Sequence, residues 1–364
     1  MKRVLIVVGT RPNFIKVTRF KQVAAQRGTI DVRIVHTGQH FSANMADVFF
    51  EQFGLVPDRF LSIGAGSPNT QMAQVMLGLE TVIAEERPDL VMVVGDVNST
   101  LAAAITANKM GVRIGHLESG LRSFDRSMPE EHNRVLTDAL TDHFFITEQS
   151  GLDHLRKDGH AEEVLHFVGN TMIDTLVAFE PQVQASPVLE QLGLGTGGHV
   201  LMTIHRPATV DVPERLAALL DLIADVCASG RKVVFPIHPR TVKNIEAFGL
   251  KDKADAIAGL VRTEPLDYFA FQKLVATCAF ILTDSGGIQE ESTFRRVPCL
   301  TLRPNTERPI TVTLGSNELV PLDMDAVRAA IARIEHGTFK KGEVPPLWDG
   351  HATERIVEVL ERVL

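Results

Sequence analysis

The sequence predicts an α/β protein with two Rossmann-like, doubly wound domains that face a cleft. Short β-branched apolar runs alternate with longer helical patterns, which is typical of parallel sheets. The alternation weakens once, in a turn-rich stretch at about 170–198, and then restarts. The chain has 364 residues, which is long enough for two domains of ordinary size.

The first half contains four clear strand patterns. In chain order they are RVLIVVGT, DVRIVHTG, LVMVVGD and RIGHLES. The intervening helical patterns are FIKVTRFKQVAAQRG, which ends at Gly28, then ADVFFEQFG, TQMAQVMLGLETVIAEERP and STLAAAITANKMG. We assign residues 1–180 to this domain.

The second half repeats the same alternation. Its strand patterns are HVLMTIHRP, KVVFPIHP, FILT and PCLTL, and its longest helical pattern is ERLAALLDLIADVCASG. We assign residues 181–351 to this domain. In open α/β sheets ligands bind beyond the carboxyl ends of the strands, so two such halves predict a cleft lined by strand ends.

Composition excludes several classes of protein. A formal net charge of −8 argues against nucleic acid as a partner. The three cysteines are scattered and form no CxxC pair, so neither a disulfide framework nor a thiolate zinc site is expected. The first apolar run is too short for a signal peptide, and no run approaches the roughly 20 residues of a membrane span. We therefore expect a cytoplasmic protein without a membrane segment.

Polar clusters follow nearly every predicted strand. They occupy residues 9–12, 36–40, 95–99, 116–118, 205–207, 238–240 and 284–287. Histidine, arginine and carboxylate side chains dominate these clusters, and their accumulation at strand ends indicates an active site. His116 and Glu118 stand at i and i+2 and are expected to share a strand face.

The stretch TDSGGIQEE, at residues 283–291, predicts an anion site. A Gly-rich turn between a strand and a helix orients backbone N–H groups toward one point. His205, Arg206 and Arg308 are candidate partners for phosphate, and Glu291 can accept two ribose hydroxyls. Together they suggest a nucleoside diphosphate, although a tight turn and a solvated helix face would give the same pattern. A Walker motif is absent from the sequence.

Carboxylates concentrate in the first half. Glu118, Glu131 and Arg134 lie in the span HLESGLRSFDRSMPEEHNR, and Asp96 follows an earlier strand. Two alternatives stay open: Asp96 as a helix N-cap, and Glu131 as a dipole-stabilising acid in a first helical turn after Pro129. Metal binding by the histidines and Glu118 lacks any fixed ligand spacing, so we predict no metal site.

These motifs resemble the non-hydrolysing UDP-N-acetylglucosamine 2-epimerase family along essentially the whole chain. The matching stretches are GTRPNFIK, HTGQHF, HLESGLR, PEEHNR, PIHP, DSGGIQEE, TERP and LGSNELV. The resemblance implies the two-domain GT-B architecture, with the last helix, residues 352–364, packing back on the first domain. It also implies reversible C2 epimerisation of UDP-GlcNAc to UDP-ManNAc, by elimination of UDP to a 2-acetamidoglucal and re-addition, without a cofactor.

The resemblance also implies roles for individual residues. Asp96, Glu118, Glu131 and His205 match the essential catalytic residues of the family. The matching or assigned substrate-binding residues are Arg11, Lys16, Arg134, Arg206, His238, Phe271, Ser285, Gly286, Gly287, Glu291 and Arg308. A second UDP-GlcNAc can act as an activator in the family, and Gln39, His40, Arg206 and His238 match positions used there. The family further implies a homodimer.

Departures from the family pattern leave alternatives for the substrate and the reaction. Asn13-Phe14 follows GTRP, and Pro207-Ala208-Thr209 follows His205-Arg206, where many members differ. Residues 36–54 look like the branch that epimerises UDP-2,3-diacetamido-glucuronic acid. A hydrolysing epimerase, a GT-B glycosyltransferase and a non-catalytic nucleotide-sugar-binding protein are the other readings. Three carboxylates favour elimination chemistry, because a transferase needs no base for the C2 proton.

Overall fold

The structure is a computed structural model that describes residues 1–38, 50, 52–61, 63–64 and 66–364. The chain divides into two compact units, one of Met1–Ala178 and Pro346–Leu364, the other of Phe179–Pro345. Each unit contains one parallel sheet with helices between its strands. The predicted α/β class with two parallel sheets is therefore confirmed.

The sheet of the first unit has the order β3-β2-β1-β4-β5-β6-β7. Its strands are β1 (Lys2–Val8), β2 (Ile30–His36), β3 (Arg59–Phe60), β4 (Leu90–Val94), β5 (Arg113–Leu117), β6 (His143–Ile146) and β7 (Leu165–Phe167). The central strands β1 and β4 are covered on both faces, which explains their continuous Val, Ile and Leu runs. The chain changes winding direction between β1 and β4, so a ligand site is expected at their carboxyl ends.

The helices of the first unit are α1 (Arg11–Ile15), α2 (Phe20–Arg27), α3 (Pro68–Glu86), α4 (Asn98–Lys109), α5 (Pro129–Asp138), α6 (Gln149–Lys157), α7 (Thr171–Ala178) and, after the second unit, α18 (Ala352–Val363). The helix predicted over 14–28 is interrupted by a turn at 16–19. In that turn the Thr18 hydroxyl lies 2.5 Å from the hydroxyl of Thr175 on α7. A buried tertiary contact has thus replaced the continuous helix that periodicity predicts.

The sheet of the second unit has the order β10-β9-β8-β11-β12-β13. Its strands are β8 (His199–Thr203), β9 (Lys232–Pro236), β10 (Leu260–Thr263), β11 (Phe280–Thr283), β12 (Cys299–Thr301) and β13 (Asn317–Leu319). Winding direction changes between β8 and β11, so the ends of these two strands form the expected site of this unit.

The helices of the second unit are α8 (Glu180–Ala185), α9 (Val188–Gln191), α10 (Pro207–Val210), α11 (Pro213–Ala228), α12 (Pro239–Ala247), α13 (Lys251–Asp255), α14 (Tyr268–Thr277), α15 (Gly287–Arg295), α16 (Ile310–Thr313) and α17 (Met324–Glu335). The stretch predicted to be turn-rich contains α7, α8 and α9. Pro181 lies in the first turn of α8, and Pro187 is the N-cap of α9, so a proline stands where one short helix has ended and the next begins.

The amphipathic helix α18 packs on α2 and α7 of the first unit. Ile356, Val357 and Leu360 are fully buried on its inner face. Asp174 of α7 satisfies the start of α18, because its carboxylate accepts hydrogen bonds from Ala352 N at 3.0 Å and from Thr353 N at 2.5 Å and Oγ1 at 2.6 Å. The N-terminus of α18 is therefore anchored by a buried side chain from another helix.

We expect Asp174→Asn to lower the free energy of unfolding by about 1–3 kcal/mol, the usual cost of leaving buried donors unsatisfied. The amide presents only one acceptor oxygen to three donors. Chemical denaturation measures the loss, and hydrogen exchange should show faster exchange in the first turn of α18. Asp323→Asn, a change of the same type at an exposed helix start in the second unit, is the control. Unchanged exchange in α18 would contradict an anchoring role for Asp174.

Candidate active site

In the first unit, Glu118 follows β5 and pairs with Lys16, which directly follows α1. Both side chains are buried. Glu118 has φ +71°, a conformation that is uncommon for a residue other than glycine. The strand ends one residue earlier, so alternation along β5 no longer determines where the Glu118 side chain points. Glu118 lies outside the strand, so the expectation that it shares a strand face with His116 is wrong.

Gly95, at the end of β4, makes room for this pair. It has φ +65°, and a Cβ atom there would lie 3.0 Å from Asn13 Nδ2 and 3.3 Å from Glu118 Oε2. Asn13 donates from the same Nδ2 to Val94 O at 3.1 Å. A glycine is required at position 95 by both its backbone conformation and the close approach of the carboxylate.

Arg134 bridges the other two predicted carboxylates. Its Nη2 lies 2.5 Å from Asp96 Oδ2, and its Nη1 lies 2.9 Å from Glu131 Oε2. Arg134 and Glu131 are buried, whereas the Asp96 side chain is about a quarter exposed. The N-cap of α4 is Val97 and has no side-chain cap, so the helix-capping alternative for Asp96 is wrong.

Glu131 holds a turn of the chain. Its carboxylate accepts hydrogen bonds from Ser123 N at 2.8 Å, Ser123 Oγ at 2.9 Å and Phe124 N at 3.0 Å. Burial raises the pKa of Glu131, but these hydrogen bonds and the Arg134 charge outweigh it and leave the pKa below its ordinary value. Glu131 is therefore an anion that is held by several hydrogen bonds. Its role is not limited to stabilising the dipole of α5 from the first helical turn.

His116 supports the site from inside the sheet. Its Nδ1 lies 2.7 Å from Asp138 Oδ1, and its Nε2 lies 2.9 Å from Gly95 O. Asp138 also binds Arg122 Nη1 at 2.6 Å. Burial raises the pKa of Asp138, but His116 and Arg122 lower it further, and the net shift is downward. Sequence reasoning missed this network, because Asp138 looks like an ordinary acid at the end of a helix.

In the second unit, Asp284 organises the turn after β8. Its Oδ2 accepts hydrogen bonds from His205 N at 2.9 Å and Arg206 N at 2.7 Å. Asp284 is fully buried, and the His205 side chain is nearly half exposed. A small pocket near these strand ends is lined by His205 and His238 among others. The predicted residues His205 and His238 thus lie close together, and Asp284, at the end of β11, lies beside His205.

The Ser285-Gly286-Gly287 turn leads into α15 as predicted, and a buried charge network lies behind it. Arg308 pairs with Glu290 at 2.7 Å and with Glu307, and Glu307 pairs with Arg303 at 3.1 Å. A Cβ atom on Gly286 would lie 2.7 Å from Glu307 Oε1. Glycine is therefore needed at 286 for close approach, and Arg308 lies beside the turn with its charge compensated.

Glu291 lies on α15 and is buried. Burial and the neighbouring Glu290 raise its pKa to about 7. Phe271 lies on α14, which packs against α15, and is partly buried. A carboxyl group with a pKa near neutrality inside a protein is a candidate for function.

The remaining predicted residues are placed as follows. Arg11 is half-buried in the first turn of α1. Gln39 and His40 lie outside the described residues. Among those that are described, no group of three or more His, Cys, Asp or Glu side chains could hold a metal ion. In the same part of the chain, no helix has the length and apolar character needed to cross a bilayer.

Comparison with known proteins identifies the family. The model of the UDP-N-acetylglucosamine 2-epimerase family matches residues 22–361. UDP-N-acetylglucosamine 2-epimerase of Methanococcus maripaludis is 37% identical, over 99% of this chain and 98% of the relative. UDP-2,3-diacetamido-2,3-dideoxy-D-glucuronate 2-epimerase of Pseudomonas aeruginosa is also 37% identical, over 99% and 100%.

A solved structure shares the whole fold. The crystal structure of Methanocaldococcus jannaschii UDP-GlcNAc 2-epimerase, in complex with UDP-GlcNAc and UDP, matches with a TM-score of 0.88. It is 37% identical in sequence, and the match covers 100% of both chains. These matches confirm the resemblance inferred from the sequence motifs, and the chain belongs to the UDP-N-acetylglucosamine 2-epimerase family of isomerases.

Proposed function

We propose that this protein reversibly epimerises UDP-N-acetylglucosamine to UDP-N-acetylmannosamine. The observation that carries the proposal is the full-length match to an epimerase whose structure is described with both UDP-GlcNAc and UDP. The reaction eliminates UDP across C1–C2 to a 2-acetamidoglucal and adds UDP back with the opposite configuration at C2. Substrate and product have the same oxidation state, so the chemistry needs no redox cofactor.

The first unit supplies the proton chemistry in this proposal. Asp96 and Glu118 each have a carboxylate beside a cation at the carboxyl end of a central strand, where one can take the C2 proton and the other can return one. Glu131 has a lowered pKa and is therefore a poor proton donor. Its part in the proposal is to keep Arg134 and the 123–124 turn in place. Arg11 and Lys16 contribute positive charge on the nucleotide side.

The second unit holds UDP. Backbone N–H groups of Ser285, Gly286 and Gly287 at the start of α15 bind the diphosphate, together with His205 and Arg206. Arg308 adds N–H donors to the same turn. Glu291 accepts the ribose hydroxyls, and Phe271 stacks beside uracil. His238 lies next to His205 at the end of β9.

A second substrate has a specific observation in its favour. The Pseudomonas aeruginosa relative that acts on UDP-2,3-diacetamido-2,3-dideoxy-D-glucuronate is as identical to this chain as the Methanococcus enzyme. Both substrates share UDP, a C2 acetamido group and a C2 proton. Competition between the two UDP-sugars in one assay identifies the preferred substrate by the ratio of the kcat/KM values.

NMR of UDP-GlcNAc incubated with the protein in D2O tests the reaction. We expect UDP-ManNAc to appear and deuterium to accumulate at C2 of the recovered nucleotide-sugars, because the elimination exchanges that proton with solvent. Free ManNAc would instead identify a hydrolysing enzyme. Recovery of unlabelled, unepimerised UDP-GlcNAc would refute the proposal for this substrate.

Three further properties stay predictions. An activator site that uses Gln39, His40, Arg206 and His238 is tested by whether initial rates depend sigmoidally on UDP-GlcNAc concentration. Light scattering after size exclusion tests the homodimer. A cytoplasmic location is the third prediction, and fractionation of cells tests it.

A further inference from the structure

Two histidines lie side by side at the carboxyl ends of β8 and β9. The ring centroids of His205 and His238 are 5.9 Å apart, and the ring planes are inclined by 33°. Each neutral imidazole carries one proton, either on Nδ1 or on Nε2, and the partner of one nitrogen decides where that proton lies. The contacts of the two rings assign both protons.

His238 has its proton on Nε2. Its Nδ1 accepts a hydrogen bond from Arg240 N at 3.1 Å, at the start of α12, so Nδ1 presents a lone pair. Burial, His205 and Arg240 all lower the pKa of His238, which favours the neutral ring. His238 therefore offers an uncharged N–H group from its other nitrogen.

His205 has the opposite arrangement. Its Nδ1 lies 3.1 Å from Asp284 Oδ1. This contact does not have the alignment of a full hydrogen bond, but a lone pair on Nδ1 at this distance would be repelled by the carboxylate. The Nδ1 atom therefore carries the proton, and Nε2 of His205 is left with its lone pair.

Asp284 is held so that it cannot turn away from the ring. Its other oxygen accepts the two backbone N–H groups of His205 and Arg206, and its own N–H donates to Thr203 O at 3.2 Å. The side chain is fully buried between the ends of β8 and β11. One carboxylate thus controls both the turn that carries His205 and the tautomer of its ring.

We propose that Asp284 is a positioning residue that holds His205 in the Nδ1–H tautomer, so that Nε2 is the atom that takes up a proton. When Nε2 is protonated, one N–H of the cation faces Asp284 and the other is available to the departing diphosphate. A charge-assisted hydrogen bond of this kind is roughly twice as strong as a neutral one. This role rests on the proposed function, in which His205 acts on the diphosphate.

Nitrogen NMR of the wild-type protein reads the tautomer without turnover. Protein with 15N-labelled histidine is measured at increasing pH until the ring signals stop changing, so that the neutral rings are read. His205→Gln identifies the signals of His205 by difference. We expect a proton on Nδ1, and a proton on Nε2 of His205 would overturn the proposal.

Asp284→Asn separates positioning from structure. The asparagine oxygen can still accept the two backbone N–H groups, but its NH2 group then faces Nδ1 and moves the ring proton to Nε2. We expect kcat to fall at least about tenfold, while UDP affinity and Tm stay close to wild type. Asp323→Asn is the matched control, because Asp323 also accepts two backbone N–H groups, at the start of α17.

Two kinetic results would overturn the proposal: an unchanged kcat in Asp284→Asn, or a loss of kcat that accompanies an equal loss of UDP affinity and a lower Tm. If the wild-type protein epimerises neither UDP-sugar, the proposed function fails. The tautomer of His205 is still decided in that case, because the NMR measurement needs no substrate.

Discussion

Asp96→Asn is expected to lower kcat at least about a hundredfold, within the range of general acid–base catalysis. The amide cannot exchange a proton with C2. Stability should change little, because Arg134 keeps its 2.9 Å contact with Glu131 after the Asp96 charge is removed. The assay is initial-rate NMR of epimerisation, with UDP affinity and Tm measured on the same preparation.

Glu118→Gln should lose at least as much activity but should also lose stability. It leaves Lys16 buried without its carboxylate, and breaking one partner of a buried pair typically costs about 3–5 kcal/mol. The double variant Lys16→Met/Glu118→Gln removes both charges. We expect it to recover much of the Tm and none of the kcat, which separates lost chemistry from lost folding.

Glu131→Gln should behave differently from both. Its carboxylate accepts from Ser123, Phe124 and Arg134, so the amide should lower Tm and disturb the turn as well as kcat. Full turnover and full C2 exchange in all three amide variants would refute elimination by these carboxylates. EDTA should leave the wild-type rate unchanged, since the reaction as proposed uses no metal ion.

The second large effect is expected at Glu291, which should influence both the pH dependence of stability and the affinity for UDP. Its folded pKa is about 7 against an ordinary 4.5, so between these pH values the native state keeps a proton that the unfolded chain has lost. Stability from this group is therefore complete below about pH 4.5 and is lost as pH rises through 7. The difference between 4.5 and about 7 corresponds to about 3 kcal/mol at most.

Glu291→Gln should consequently raise Tm at pH 8 and weaken UDP binding. The variant has no buried charge to form above pH 7, which stabilises it relative to wild type. A neutral amide accepts less well from two ribose hydroxyls, and charge-assisted hydrogen bonds contribute about 1.5–3 kcal/mol, or about ten- to a hundredfold in Kd. Glu246→Gln, on an exposed face of α12, is the control.

Uridine is the sharper ligand for the pH dependence, because it has no phosphate to titrate. Its binding to the wild-type protein should weaken by up to about tenfold per pH unit below 7, where Glu291 takes up a proton. The Gln variant should lack this dependence. Equal uridine affinity of wild type and variant at pH 8 would show that Glu291 does not bind the ribose.

The order of strands and helices was largely predictable from the sequence. Continuous Val, Ile and Leu runs at β1, β4, β8 and β11 mark strands that are buried on both faces, and this local pattern persists whatever surrounds it. Short edge strands such as β3 and β13 were missed, because two or three residues contain no period. The break between α1 and α2 was missed because it depends on Thr18 meeting Thr175.

The candidate site also has a part that was predictable from the sequence and a part that was not. Strand-end clusters and the resemblance in motifs singled out Asp96, Glu118, Glu131, His205 and Glu291 as candidates, because the proposed reaction needs those residue types. The sequence did not indicate that His116 contacts Asp138 inside the sheet, that Arg134 joins two carboxylates, or that Asp284 faces His205. The residues in each of these contacts are distant along the chain or separated by a turn.

The sequence by itself therefore determined the fold class, the family and the candidate residues for the proposed chemistry, since periodicity and short motifs are local properties. Only the tertiary structure decided the charge state of those residues. The pKa of Glu131 is lowered because three backbone and side-chain donors of the 123–124 turn and Arg134 surround it. The pKa of Glu291 is raised to about 7 because α15 buries the side chain beside Glu290. Two glutamates with the same intrinsic acidity differ because desolvation and hydrogen bonding depend on neighbours that folding brings together.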